Sequence, residues 1–153
     1  MTERTIFDVA NWFLHKESMT PKKLQKLVYY ACAWAQALLN RDLTDDCDFE
    51  AWVHGPVNRK LYAKYKDYGW TNIPYNIEDT SSKFTSEELD LLESVWLTYG
   101  DKTANELEAI THDEWPWIEA RGGCLSSETC TRVISKETMQ KFYRSIYEQN
   151  QGE

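Results

Sequence analysis

The histidines and cysteines are the side chains of this sequence best suited to nucleophilic or metal chemistry. The 153 residues contain three histidines and four cysteines. A zinc protease needs two histidines one helical turn apart, and a zinc-binding loop needs closely spaced cysteine pairs. The sequence has neither pattern, and it has no nucleophile elbow or glycine-rich phosphate loop. We therefore expect no catalytic residues, no metal site and no cofactor.

If the chain were a hydrolase or a metalloenzyme, two histidines would be the candidates for its catalytic or metal-binding residues. His54 precedes Gly55 and Pro56 in a turn, and loops of this kind do carry catalytic groups. His112 is followed by two acidic residues, but neighbouring residues of a helix point in different directions. A polar turn residue and a polar helical residue are the simpler interpretations, and catalysis remains the alternative.

A basic, tyrosine-rich segment follows the turn and has the composition of a protein-binding surface. Tyr, Trp and Arg dominate the strong contacts at protein interfaces. We predict that the partner-binding residues are Arg59, Tyr62, Lys64, Tyr65 and Trp70. A solvated helix face is the alternative for the basic residues, and the same alternative applies to an earlier cluster of lysines at 22, 23 and 26.

Caps and apolar periodicity predict six or seven helices that would position these residues. Thr20 before Pro21 marks the start of a long helix, and capping boxes begin at Thr85 and Thr103. The predicted helices cover about residues 6–15, 20–40, 56–69, 85–100, 103–110, 111–122 and 135–150. The third would have Pro56 in its first turn, and Thr111 would cap the sixth with Glu114.

Short β-prone segments complete the predicted fold. Residues 49–53, 75–77 and 132–134 are bounded by turn residues and are predicted as short strands. The fold class is therefore mainly α, a single-domain helical bundle with a small peripheral β element. Residues 1–153 would form one domain, with a frayed tail after about residue 150.

Charge and hydropathy exclude several classes of partner. The net charge of −8 disfavours binding to nucleic acid, which needs a basic face. The most apolar run, at 27–39, is too short to cross a bilayer, so no membrane partner is expected. The four cysteines lack paired spacing and are interpreted as free thiols in a cytoplasmic protein, although Cys124 and Cys130 could pair across a hairpin.

Three phrases of the sequence are similar to those of a known family. They are MTPKKLQKLVYYACAWAQAL at 19–38, FEAWVHGPVNRKLYAKYKDYG at 49–69 and THDEWPWIEAR at 111–121, and ISKETMQKFY resembles the usual ending. In this order they resemble the Panacea domain, which includes SocA-like antitoxins and phage-associated proteins of the GepA type. The resemblance covers about residues 6–147.

The resemblance implies a set of motif residues with structural roles. They are Leu24, Lys26 and Leu27, then Trp52, Gly55, Pro56, Val57, Leu61 and Tyr62, and finally Thr111, His112 and Trp117. Gly55 and Pro56 would form the corner between strand and helix, and Trp52 would pack beneath it. Thr111 would cap a helix, and Trp117 would be buried.

The resemblance also implies a function. Family members neutralise a toxin encoded beside them, most of them by direct binding, so the expected partner is a cognate toxin protein. The SocA type instead acts as an adaptor that delivers the toxin to a protease. A phage or mobile-element accessory protein that binds a host factor is the further alternative.

Overall fold

The protein is built from helices packed around one central helix. The computed structural model describes residues 4–125 and 127–151. Within these residues there are seven α-helices and one two-stranded sheet. They are α1 (Ile6–Lys16), α2 (Pro21–Leu39), β1 (Glu50–Trp52), β2 (Gly55–Val57), α3 (Arg59–Tyr65), α4 (Ser86–Tyr99), α5 (Ala104–His112), α6 (Trp115–Arg121) and α7 (Lys136–Gln151). The predicted mainly α fold with a small peripheral β element is confirmed.

The central helix is α2, which α1, α4, α5 and α7 surround. The Thr20 hydroxyl accepts a hydrogen bond from the Lys23 amide, Pro21 occupies the first turn, and Asn40 ends the helix with a φ of 57°. Tyr29 and Tyr30 are fully buried in the core. Aromatic side chains therefore supply much of the apolar area that holds the bundle together.

The two predicted capping boxes at Thr85 and Thr103 are confirmed. Each threonine accepts from the amide three residues later, and the glutamate there accepts from the threonine amide. The carboxylate of Glu88 in the first box also pairs with Arg4 and Arg41, at 2.7 and 3.2 Å. This buried glutamate thus fixes the start of α4 and ties it to the N-terminal segment and to the loop after α2.

The predicted start of the third helix at Pro56 is wrong. Residues 55–57 form β2, in which Pro56 pairs with Ala51 of β1. The helix begins after Asn58, whose side chain accepts from the Leu61 amide at 3.1 Å. Because the Asn58 side chain also donates to the carbonyls of residues 46 and 48, at 2.8 and 3.0 Å, it holds the chain extended up to this point.

The predicted capping box of Thr111 with Glu114 is also wrong. Thr111 lies inside α5, and its hydroxyl donates to the Glu108 carbonyl at 2.8 Å. The Glu114 carboxylate accepts from the hydroxyls of Tyr30 and Tyr143, both at 2.8 Å. Glu114 therefore joins α6 to α2 and α7 instead of capping its own helix, and its burial raises the pKa of its carboxyl.

The remaining predictions at the termini and edges have mixed outcomes. Residues 132–134 run beside β1 but form only an isolated bridge at Val133, and residues 75–77 form no strand. Ser135 caps α7 as predicted, by accepting from the Thr138 amide. The helix includes Gln151, so the predicted frayed tail otherwise lies outside the described residues.

All four cysteines are free thiols, and the alternative pair of Cys124 with Cys130 is not formed. Cys32, Cys47 and Cys130 are buried. In the part of the chain that the structure describes, no helix has both the length and the apolar character needed to cross a bilayer.

Candidate partner-binding groove

The β1–β2 hairpin closes over the side chain of Lys26 in α2. Trp52 pairs with Gly55, which leaves a two-residue turn between the strands. Gly55 has a φ of +109°, a conformation that residues with a Cβ rarely adopt. A Cβ here would lie 2.5 Å from Lys26 Cε and 3.1 Å from Thr111 Oγ1. The close approach of the hairpin to the lysine therefore requires glycine.

Lys26 is buried and forms no ion pair within the described residues, so the alternative of a solvated helix face is wrong for this lysine. It is 1% exposed, and its ammonium donates to the Pro56 carbonyl at 3.3 Å. Burial disfavours the charged amine, Lys22 repels it, and Glu108 offsets part of this effect. Together these groups lower the pKa of Lys26 from 10.5 to about 7.

Residues of α5 and α6 complete the layer beneath the hairpin. The His112 ring stacks on the Trp117 ring with centroids 4.0 Å apart. The Trp117 indole donates to the Trp52 carbonyl at 2.9 Å. His112 Nε2 is buried without a hydrogen-bond partner among the described residues, and burial lowers the pKa of His112. The structure thus brings together Lys26, Gly55, Pro56, Thr111, His112 and Trp117.

The two motif tryptophans differ from the roles expected for them. Trp117 is half-buried, because its indole reaches the edge of the hairpin. Trp52 does not pack beneath the corner: its ring lies against Tyr62, with centroids 4.9 Å apart. Successive strand residues face opposite sides, so the fully buried Ala51 takes the inner position and Trp52 faces outward.

A groove with a volume of about 390 Å³ lies between the start of α2, the hairpin and α3. Its apolar lining is Pro21, Leu24, Val57 and Leu61. Its aromatic lining is Trp52, Tyr62, Tyr65 and Trp70. Its polar lining is Lys22, Gln25, Lys26, His54 and Lys66, with Gly69 at the edge and no Asp or Glu among the described residues.

Three of the five predicted partner-binding residues line this groove. Trp70 is 85% exposed and Tyr62 is 45% exposed, whereas Tyr65 is buried and contributes only to the wall. Arg59 pairs with Glu50 at 2.6 Å outside the groove. The Lys64 ammonium lies 4.7 Å from the centroid of the Phe7 ring, on the side that faces α1.

The rim of the groove has three basic side chains, Lys22, His54 and Lys66, and the first two share one carboxylate. Lys22 and His54 both contact the Glu108 carboxylate, at 2.6 and 3.0 Å. Burial alone would raise the pKa of Glu108, but its hydrogen bond to Lys22 and the nearby positive charges lower it. Lys66 forms no ion pair with any carboxylate in residues 4–125 and 127–151.

A second groove, with a volume of about 440 Å³, lies at the other end of α2 against α4 and α7. Its lining includes Trp34, Leu38, Leu91, Val95 and Tyr147. Glu87 and Asp90 are its charged residues, and no Lys or Arg of the described chain lines it. The two grooves therefore differ in the sign of their charge.

Sequence reasoning missed several residues of the first groove. Lys22, Lys66 and His54 were not among the predicted partner-binding residues. A solvated helix face was the alternative for the lysines, and His54 was interpreted as a polar turn residue with catalysis as the alternative. The sequence signal that could have indicated them is their short distance along the chain from other groove residues: Lys22 follows Pro21, and Lys66 lies four residues before Trp70. Among the described residues, no group of three or more His, Cys, Asp or Glu side chains is arranged to hold a metal ion.

Comparison with known proteins identifies the family. The family model described as antitoxin SocA-like, Panacea domain matches residues 24–118, more than half of the chain. The chain belongs to the SocA-like Panacea family. The match contains every motif residue named above and nearly all of the first groove, whereas α1 and α7 lie outside it. Neither a curated protein nor a solved structure gave a significant match.

Proposed function

We propose that this Panacea-family protein is a cytoplasmic antitoxin that neutralises a cognate toxin by binding it directly and catalyses no reaction. The observation that carries the proposal is the antitoxin family match over residues 24–118. The groove beside the hairpin supports it, because exposed aromatic side chains surround an apolar floor there. Such surfaces are typical of protein-binding sites.

Co-expression with the neighbouring gene tests this function. The neighbouring gene is expressed from an inducible promoter, with and without this chain, and growth is followed. We expect growth arrest without the chain, rescue with it, and co-purification of the two proteins. A toxic neighbour that stays toxic in the presence of the folded chain would contradict the proposal.

Delivery of the toxin to a protease is the second candidate function. The second groove favours it, because it is separated from the first by roughly 20 Å along α2, at a rise of about 1.5 Å per residue. A protease component could bind there while the toxin occupies the first groove.

The half-life of the toxin in cells separates the two candidates. Direct blocking predicts that co-expression of the chain leaves the toxin half-life unchanged or lengthens it. Delivery predicts a shorter half-life, and it predicts that the effect disappears in cells that lack the protease. Epitope-tagged toxin followed after translation is stopped gives this measurement.

A further inference from the structure

The first groove displays aromatic side chains that no other part of the described chain covers. Trp70 is 85% exposed, and it lies in a turn that begins at Gly69 with a φ of +56°. The Thr71 amide donates to the Tyr68 carbonyl at 2.9 Å, which fixes this turn. Because the backbone of this turn is already ordered, a partner that covers the exposed Trp70 ring buries a large apolar area without first having to order the turn.

The lining charges define the complementary partner. The chain as a whole has 25 acidic and 17 basic residues, yet no Asp or Glu is among the described residues that line this groove. Of its three lysines, Lys22 is paired with Glu108 and Lys26 is buried, so the exposed positive charge is that of Lys66. Lys66 has no ion-pair partner in the described chain, as noted above. A carboxylate brought by a partner would therefore meet uncompensated positive charge at the rim.

The shape of the groove limits what can enter it. A volume of about 390 Å³ accommodates one or two large side chains above the floor of Leu24 and Leu61. A nucleic acid would need a longer basic track for its phosphates, and the net charge of −8 repels a polyanion. A protein segment that combines an apolar side chain with a nearby acidic group fits both the floor and the rim.

We propose that the groove binds a segment of the toxin in which a large apolar side chain is flanked by Asp or Glu residues. The apolar side chain contacts the floor and packs between Tyr62 and Trp70. The flanking carboxylate pairs with Lys66. This proposal rests on the antitoxin function proposed above and names the part of the toxin that is recognised.

Site-specific photocrosslinking identifies the bound segment. A photoreactive phenylalanine derivative replaces Trp70 or Tyr62 in the full chain, and the purified toxin is the probe. Trp115 and Tyr75 are matched control positions, because they are 51% and 49% exposed and lie outside the groove. We expect crosslinks only from positions 62 and 70, to a toxin peptide with a large apolar residue and at least one neighbouring Asp or Glu. Crosslinks from the control positions alone, or to a peptide without acidic residues, would overturn the proposal.

Charge reversal at Lys66 tests the proposed pairing of this lysine with a carboxylate of the toxin. Lys66→Glu should weaken toxin binding at least tenfold, because it places a carboxylate where the partner carries one. Lys141→Glu causes the same change in net charge on an exposed part of α7, and it should stay within twofold of the wild type. Equal effects of the two substitutions would contradict specific pairing at the rim.

The outcomes also separate this proposal from the one on which it rests. If the wild-type chain does not bind the toxin, both the proposed antitoxin function and the proposed role of the groove are contradicted. If the wild-type chain binds the toxin and rescues growth, and the Trp70→Ala and Lys66→Glu variants bind equally well, only the proposed role of the groove is contradicted. Binding that nuclease treatment abolishes would assign the surface to nucleic acid instead.

Discussion

Lys26 shows how the fold can change the chemistry of one residue. In the sequence it belongs to a run of lysines on a helix, and such residues normally face water. Its burial depends on Gly55 and Thr111, which come from segments about 30 and 85 residues further along the chain. The local pattern therefore could not predict it, although the family resemblance marked the position as part of a motif.

The pKa of Lys26 predicts a specific dependence of stability on pH. The pKa is about 7 in the folded chain and near 10.5 when the lysine is exposed to solvent. Between these values the unfolded chain binds the additional proton, so the free energy of unfolding rises with pH. We expect the stability of the wild type relative to Lys26→Met to rise by as much as about 1.4 kcal/mol per pH unit above neutral pH.

Urea unfolding at several pH values between neutral and mildly alkaline measures this difference. Lys23→Met, in the same helix, controls for the loss of a lysine whose ammonium instead contacts the Gly100 carbonyl at 2.6 Å. Parallel stability profiles for the wild type and Lys26→Met would show that Lys26 does not titrate in this range.

At the scale of elements, Asn58 links the central helix, the hairpin and α3. The backbone N–H of Asn58 donates to the Gln25 side chain at 2.9 Å, and the backbone carbonyl of Asn58 accepts from that side chain at 3.0 Å. Its own side chain caps α3 and donates to two loop carbonyls. The position of Tyr62 on the groove wall therefore depends on this buried asparagine.

Replacement of Asn58 by alanine should destabilise the chain by about 2 kcal/mol, because it removes a helix cap and leaves two partly buried carbonyls without their donor. Thr103→Ala removes only an exposed cap at the start of α5 and should cost about 1 kcal/mol. Chemical denaturation of both variants gives the comparison. Equal losses would indicate that the hydrogen bonds from the Asn58 side chain to the two loop carbonyls contribute nothing beyond the cap.

The elements that sequence alone predicted correctly are those fixed by local interactions. Thr20, Thr85 and Thr103 cap helices through residues three positions away, so a short window of sequence contains all of the relevant groups. Pro56 and Glu114 were misread because strand pairing and buried tyrosine hydroxyls outcompete the local helix-start signals. The exposure of Trp70 likewise depends on how distant segments pack.

At the scale of the whole molecule, α2 runs through one hydrophobic core. Each of the helices α1, α3, α4, α5 and α7 contributes at least one large side chain that is fully or almost fully buried there, and the short α6 contributes Ala120. This arrangement supports our proposal that the chain is a single domain. We expect thermal unfolding to give one transition, with equal calorimetric and van't Hoff enthalpies. Two separable transitions would indicate that part of the chain folds independently.

The central claim is that the protein acts through contact with a toxin and through no chemistry of its own. Isothermal titration of the purified toxin with the purified chain, in buffer without protease or nucleotide, tests it most directly. The account predicts saturable binding by the wild type and binding at least tenfold weaker for a folded Tyr62→Ala, Trp70→Ala double variant. Absence of binding by the wild type, or undiminished binding by the double variant, would contradict it.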